Sequence, residues 1–276
     1  MFYVYLILSA LLIPILNNFF EILGYGYSWW LVPVLFVLFF IGFLLLHAVI
    51  FVVSFLLGGQ KISPDKAPKY YRFLAKITVP LLVKLARVEI IVGGMDIDDI
   101  PKDTRALFVC NHIHDFDPII MLDVFKDYDI GFIGKKEIFK NMSLVGDIMH
   151  KLYCLPIDRE NNREAAKTII NAIKILKEDK ASIGVFPEGY TNRTEEILLP
   201  FRNGAFKIAL KAQVPIVVCT VMGTKEIPKR MFRKKTVVKF CVADVIYPEQ
   251  FKTLNTQELG DKIRNIMETE LKKDEG

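Results

Sequence analysis

Residues Leu31 to Leu57 form a run of 27 without a formal charge, and His47 is its only titratable side chain. About 20 consecutive apolar residues suffice to carry a helix across a bilayer, so this run reads as a spanning helix, tilted or with its start at the interface. The preceding run, Phe2 to Phe20, contains Pro14, Asn17 and Asn18. It is expected to span as well, the alternative being a re-entrant or interfacial segment. A secretory signal peptide fits less well, because the run has no basic flank and no small-residue cleavage site before the loop Glu21 to Ser28. Tyr25, Tyr27, Trp29 and Trp30 sit where an interfacial aromatic belt would lie, and Lys61, Lys66, Lys69 and Arg72 follow the second run directly. By the positive-inside rule the C-terminal part is cytoplasmic at the cell membrane, and two spans would place the N-terminus on the same side.

The charges divide the chain in two. Residues 1–60 hold no Lys or Arg and a single acid, Glu21, so the remaining 216 residues carry all 36 bases against 30 acids. The expected organisation is a membrane anchor over 1–60 and a basic globular domain over 61–276, joined by the Gly, Lys, Pro and Ser-containing linker Gly58 to Pro68. An apolar content of 52% argues against a disordered or fibrous chain. Cys110, Cys154, Cys219 and Cys241 are far apart, each within an apolar stretch, and read as buried thiols in a reducing compartment rather than as a disulfide or metal framework.

Tyr70 to Val88 alternates apolar and basic residues with helical spacing and is expected to be interrupted near Pro80, either packing on the core or lying in the headgroup layer. Beyond it, strand-like runs at Val88 to Val92, Ala106 to Cys110, Ile130 to Gly134, Tyr153 to Ile157, Ser182 to Phe186 and Val214 to Val221 alternate with helical patterns. The clearest helix is Asn162 to Lys177, with Ala166, Ile169, Ile170, Ile173 and Leu176 on one face. A strand over Thr236 to Ile246 and a helix capped at Asn255 complete an α/β domain with a mixed, largely parallel, buried sheet flanked by helices.

Residues suited to chemistry cluster at the ends of these strands, where open α/β sheets place their sites. In Asn111-His112-Ile113-His114-Asp115-Phe116-Asp117-Pro118, a strand-to-helix turn would fold Asp117 onto His112, fixing its tautomer and freeing Nε2 as a general base. Alternatively Asp117 is an N-cap before Pro118, or His112, His114, Asp115 and Asp117 chelate zinc. No second ligand cluster accompanies them, and no metal is expected. Arg159 ends the run Leu155-Pro156-Ile157-Asp158-Arg159 and can fork onto a phosphate or carboxylate, or is simply a surface charge. Glu188 and Gly189 follow the strand ending at Phe186, where glycine permits close approach of backbone to a ligand and a buried acid needs a partner.

In this order and at these spacings the groups resemble the glycerolipid acyltransferases, specifically the 1-acyl-sn-glycerol-3-phosphate acyltransferase family. Asn111-His112 with Asp117 is similar to its first motif, Ile157-Asp158-Arg159 to its second, Phe186-Pro187-Glu188-Gly189 to its third and Val214-Pro215-Ile216-Val217 to its fourth. Gly134-Lys135-Lys136-Glu137-Ile138 resembles a further family stretch, and the likeness runs from Arg105 to about Gly223. The chain departs from the pattern at His114, where the family commonly has Ser. It has Tyr190-Thr191 where Thr-Arg often follows Glu-Gly, with Arg193 two positions later, and Val218 replaces a second Pro in the fourth motif.

The resemblance implies transfer of an acyl chain from a thioester, acyl-coenzyme A or acyl-carrier protein, to the sn-2 hydroxyl of lysophosphatidic acid. The product would be phosphatidic acid for phospholipid biosynthesis. It implies His112 as base, Asp117 as its orienting acid, and Arg159 and Lys135, with Arg193 as a further candidate, as phosphate ligands. Glu188 and Gly189 would shape the acceptor pocket, with Glu188 paired to a base or an acceptor group, and backbone amides near the fourth motif would hold the oxyanion. The expected partners are the lipid bilayer and these two substrates; no cofactor and no nucleic acid are expected. Competing readings are an acyltransferase for another lysophospholipid, a non-catalytic membrane-anchored lipid- or phosphate-binding module, and a membrane-bound metallohydrolase. Lys229 to Lys235, with five bases in seven residues, is either a solvated loop or a surface for anionic headgroups or an acidic carrier.

Overall fold

The computed structural model describes residues 1–273 except 21–30, 58–68, 101, 103 and 142. The aromatic belt residues, the linker, Lys61 and Lys66 lie outside the described residues. Two compact units are present, Met1–Gly59 and Gln60–Gly276.

The first unit consists of α1 (Phe2–Phe20) and α2 (Leu31–Leu57). Among the described residues one helical stretch, Leu31–Ser54, is long and apolar enough to cross a membrane, and Phe2–Asn17 is a shorter apolar one. Phe2 meets Phe40 edge-on and Tyr5 stacks on Phe43. The Tyr5 hydroxyl bonds His47 Nδ1 at 2.7 Å, giving each a polar partner between two apolar helices.

The second unit is a seven-stranded sheet in the order β1-β7-β6-β2-β5-β3-β4. Its strands are β1 (Val88–Gly94), β2 (Leu107–Cys110), β3 (Ile130–Lys135), β4 (Leu155–Ile157), β5 (Ser182–Val185), β6 (Ile216–Met222) and β7 (Thr236–Ile246). All neighbouring pairs are parallel except β6 with β7, so β1 and β7 run against the other five. The helices are α3 (Lys69–Leu85), α4 (Asp117–Val124), α5 (Lys136–Asn141), α6 (Ser143–Lys151), α7 (Asn162–Lys177), α8 (Lys207–Ala212), α9 (Ile227–Arg230) and α10 (Thr256–Lys273).

The sheet is covered on both faces, which is why its central strands are apolar throughout. On β2 the alternation is direct: Phe108 and Cys110 point into a core shared with Ile120 and Met121 of α4, whereas Leu107 and Val109 point into one shared with α7, α8 and α10. Helix α7 has the expected bounds, but its buried residues are Thr168, Ala172, Ile175 and Leu176, and Ile170 of the expected face is exposed, because Ala166, Ile169, Ile170 and Ile173 line a hollow instead of the core; Asn161 caps the helix by accepting from the amides of Arg163 and Glu164. Asn255 caps α10 as expected, accepting from the amides of Gln257 and Glu258, while Glu258 returns a carboxylate to the Asn255 amide.

The expected break in α3 does not occur. The helix runs unbroken through Pro80, because Tyr71, Leu74, Thr78 and Leu81 form one buried stripe across it. Core packing along that stripe outweighs the lost hydrogen bond and the ring clash. Tyr70, Phe73 and Leu82 of the same helix remain exposed.

Candidate active site

β2 delivers its C-terminus to a tight loop, 111–116, that turns into α4. Asn111 is almost fully buried and acts as an extra rung of the sheet: its amide nitrogen donates to the Val221 carbonyl at 3.0 Å and its oxygen accepts from the Val221 amide at 2.8 Å. This brace sets the exit direction of the chain, and His112 comes next.

The N-cap reading of Asp117 is overturned. α4 begins at Asp117 itself, Phe116 stands at the cap position without a side-chain bond, and the Asp117 carboxylate points back over the loop. Its Oδ2 accepts from His112 Nδ1 at 2.8 Å and from the amides of Ile113 and His114 at 2.7 and 2.8 Å. Its Oδ1 accepts from the Thr224 hydroxyl at 2.5 Å. With four donors and no solvent exposure, Asp117 is a fixed buried anion, seated in the first turn of a helix where the dipole favours it. The imidazole is thereby held by Nδ1, and Nε2 faces the Thr191 hydroxyl at 3.4 Å.

The imidazole face is fixed by rings. Phe186 stacks on His112 with centroids 4.3 Å apart, and Phe132 stacks on Phe186 at 5.8 Å. Gly184 makes this column possible, since a Cβ there would fall 2.5 Å from the Phe132 ring.

Among the described residues no base pairs with Glu188. Its two oxygens accept from the amides of His112, at 2.7 Å, and Leu199, at 2.8 Å. Two amide donors satisfy a buried carboxylate without a counter-ion, so Glu188 braces the backbone of His112. Burial pushes its carboxyl above the usual range, and the two amides pull it back.

Two hollows are lined by neighbours of His112, Phe186 in one and Ile113 and Thr191 in the other, and His112 itself lines neither. The larger, about 570 Å³, is lined by Phe186, Gly189, Arg159, Arg202, Lys207 and apolar residues of α7. The smaller, about 320 Å³, is lined by Thr191, Arg193 and Lys225 beside the loop 113–115. Arg159 therefore faces the larger hollow while its neighbour Asp158 is tied to Lys136 at 2.9 Å. Arg193 is not brought to Arg159. The chain reverses at Asn192, whose amide donates to the His112 carbonyl at 2.6 Å and whose side chain ties Thr194 and the Glu196 carbonyl, and this sends Arg193 to the other hollow. Lys135 lines neither hollow. It is half exposed and lies 3.7 Å from Glu137. His114 turns away from His112, stacking on Phe116, and among the described residues no three His, Cys, Asp or Glu side chains converge as metal ligands.

The expected oxyanion donors are displaced too. Val217 of the fourth motif pairs with Phe108, whereas the parallel register of Cys110 with Cys219 puts His112 level with Val221. Four residues of strand separate the two levels, roughly 13 Å, so the fourth motif serves the core and not the site. Arg202 and Thr224 were invisible in the sequence pattern. Each reaches the site from a distant loop, and Thr224 is 107 positions from Asp117.

A family model described as Acyltransferase matches residues 94–222. The 1-acyl-sn-glycerol-3-phosphate acyltransferase of Bacillus subtilis is 30% identical over 169 residues, covering 60% of this chain and 80% of that protein. The chain belongs to the 1-acyl-sn-glycerol-3-phosphate acyltransferase family. A further member, the probable 1-acyl-sn-glycerol-3-phosphate acyltransferase of Mycoplasma pneumoniae, is 28% identical over 243 residues, 80% of this chain and 87% of that one. The acyltransferase fold is shared with the crystal structure of the 1-acyl-sn-glycerophosphate acyltransferase of Thermotoga maritima, at 19% identity and a TM-score of 0.59, covering 84% of this chain and 92% of that one.

Proposed function

We propose that this chain transfers an acyl group from an acyl thioester to the sn-2 hydroxyl of 1-acyl-glycerol-3-phosphate, forming phosphatidic acid. The observation that carries the reading is the buried Asp117 to His112 Nδ1 bond, which leaves Nε2 aimed at a hydroxyl. The acceptor hydroxyl would approach Nε2 from the side where Thr191 Oγ1 lies at 3.4 Å. As the acceptor oxygen forms its bond to the thioester carbonyl carbon, Nε2 takes the hydroxyl proton, and Asp117 stabilises the imidazolium. The C–S bond then breaks and the proton passes to the departing thiolate. No acyl-enzyme is needed.

Both substrates carry acyl chains, which accounts for an enzyme anchored by its N-terminal helix with its catalytic unit on the cytoplasmic side, where thioesters are made. The test is a matrix of purified full-length protein with two donors, acyl-coenzyme A and acyl-carrier protein, against lysophosphatidic acid and lysophospholipids with other headgroups. The reading expects the highest kcat/KM with lysophosphatidic acid and new ester at sn-2 only. A preference for another headgroup, or binding without turnover, refutes it.

A further inference from the structure

At the edge of the sheet opposite the imidazole, a third hollow of about 310 Å³ lies between α3 and the loop 126–130. Ile130 opens β3 in register with Ser182, and Leu107 opens β2 in register with Ile183. The hollow is therefore level with the start of β2, whereas His112 follows its end at Cys110, and the strand between them spans roughly 13 Å. None of the residues that line this hollow lines either of the two beside His112.

Four cations line it, Lys69, Arg72, Lys76 and Lys126, against two acids, Asp127 and Asp129. Lys76 is matched to Asp127 at 2.5 Å. Asp129 is shared, with one oxygen 2.8 Å from Arg72 Nη1 and the other 3.7 Å from Arg105. Neither Lys69 nor Lys126 has an ion pair or hydrogen bond among the described residues. The Arg72 side chain is only 12% exposed, its guanidinium carbon lies 4.6 Å from the Tyr153 ring centre, and its Nη2 is buried without a hydrogen-bond partner among the described residues. A buried polar nitrogen left unpaired in a folded domain calls for an acceptor from outside the chain. A guanidinium with one arm on a carboxylate keeps the other for a second oxyanion, and phosphoryl oxygens fit that fork.

The rest of the lining says which anion. Phe73, Val79, Leu122 and Leu152 complete the hollow, and on the same helix Phe73 and Tyr70 are 57% and 48% exposed. A free inorganic anion has no use for such an apolar rim, whereas a headgroup that carries glycerol and acyl chains does. Helix α3 opens the second unit, twelve residues after Leu57 closes α2, whose stretch Leu31–Ser54 is long and apolar enough to cross a membrane. Lysines and aromatic rings at such a juxtamembrane position suit a leaflet that contains anionic lipid. We propose that this hollow binds the phosphoryl headgroup of an anionic phospholipid of the bilayer. Arg72 Nη2, Lys69 and Lys126 hold the phosphoryl oxygens, and Phe73 packs on the glycerol and the start of the chains. This is a second lipid site, remote from the base, and its occupant is a resident lipid that is not acylated there.

The experiment uses the full chain in a neutral detergent, titrated by calorimetry with dihexanoyl phosphatidylglycerol, dihexanoyl phosphatidylcholine or inorganic phosphate. Phosphatidylglycerol is expected to bind one to one and at least tenfold more tightly than either of the others. Arg72→Gln should weaken that binding about tenfold to a hundredfold. Because Arg72 also pairs with Asp129, the double variant Lys69→Gln with Lys126→Gln, which breaks no contact within the chain, guards against a folding artefact. Its affinity should fall about twentyfold, from roughly fivefold for each lysine, with a thermal melt matching the parent. Arg159→Ala, in the larger hollow, should bind phosphatidylglycerol as the wild type does. The site is overturned if the folded double variant keeps wild-type affinity, or if phosphatidylcholine binds equally well. Loss of binding in Arg159→Ala would move the lipid to the active site, and inorganic phosphate matching phosphatidylglycerol would replace the lipid with a free anion; either result overturns the assignment.

Discussion

Asp117→Asn isolates charge from geometry at the heart of the site. An asparagine can keep its oxygen toward His112 Nδ1 and the amides of Ile113 and His114, and turn its NH₂ toward Thr224, whose hydroxyl rotates from donor to acceptor. Every buried polar group then keeps a partner, so the fold is expected to survive. What vanishes is the negative charge facing the imidazolium that forms in the reaction. For unit charges centred roughly 4 Å apart at an effective dielectric near 20, that attraction is about 4 kcal/mol, which corresponds to about 10³-fold in rate. The expected outcome is a kcat about three orders of magnitude lower with acceptor KM little changed, measured by product formation with a saturating donor and checked against a thermal melt. A folded Asp117→Asn enzyme within tenfold of wild type would refute the role of the buried anion. Asp117→Ala is a different perturbation, since it strands two amides and a hydroxyl in a dry site, and it is expected to destabilise the domain by about 3–5 kcal/mol.

Three further outcomes follow from the packing. Gly184→Ala drives a methyl into the Phe132 ring that backs the Phe186 and His112 column; overpacking of this kind costs about 1–3 kcal/mol, so both melting temperature and kcat should fall, and an unchanged melt would discount the column. The four cysteines are buried, and burial raises the Cys154 thiol to about 11. They should resist iodoacetamide at pH 8 in the folded protein and react at once in denaturant, as seen by mass shift; rapid native labelling would contradict the core assignment. In the segment 229–235, Lys229 and Arg230 pair with Glu226 at 2.8 and 3.5 Å and Lys235 with Glu89, leaving Arg233 and Lys234 beside the exposed Phe232. If these meet an acidic carrier, Arg233→Glu with Lys234→Glu should slow turnover with acyl-carrier protein and spare acyl-coenzyme A; an equal loss with both donors and weaker binding to anionic vesicles would point to headgroups, and no change in either would leave a solvated loop.

The parts legible in the sequence are those governed by local rules. Helix α7 and the cap at Asn255 announce themselves because amphipathic spacing and capping chemistry act over a few residues. The His112 and Asp117 pairing was readable as one option among three, since a strand-to-helix turn brings residues five apart together, but the N-cap alternative obeyed local rules equally well. What decided between them is Thr224 and the two loop amides, contacts that only the tertiary fold supplies. The same holds for Arg202, which sits in an unremarkable loop until the chain returns against Gly189, and for Arg193, whose sequence position near the third motif gave no sign of the reversal at Asn192. Pro80 shows the converse, a strong local rule yielding to a buried stripe that needs the helix to continue. The placement of Glu188 was half right: its need for a partner was evident, and its partners proved to be backbone amides, which no side-chain pattern records.

The central claim is that His112 is the base, and the most direct measurement is the rate at which purified, folded His112→Ala forms phosphatidic acid from lysophosphatidic acid and an acyl thioester. The account predicts no product above the uncatalysed background while lysophosphatidic acid binding and the thermal melt remain those of the wild type. Turnover by His112→Ala within a factor of ten of wild type would contradict it.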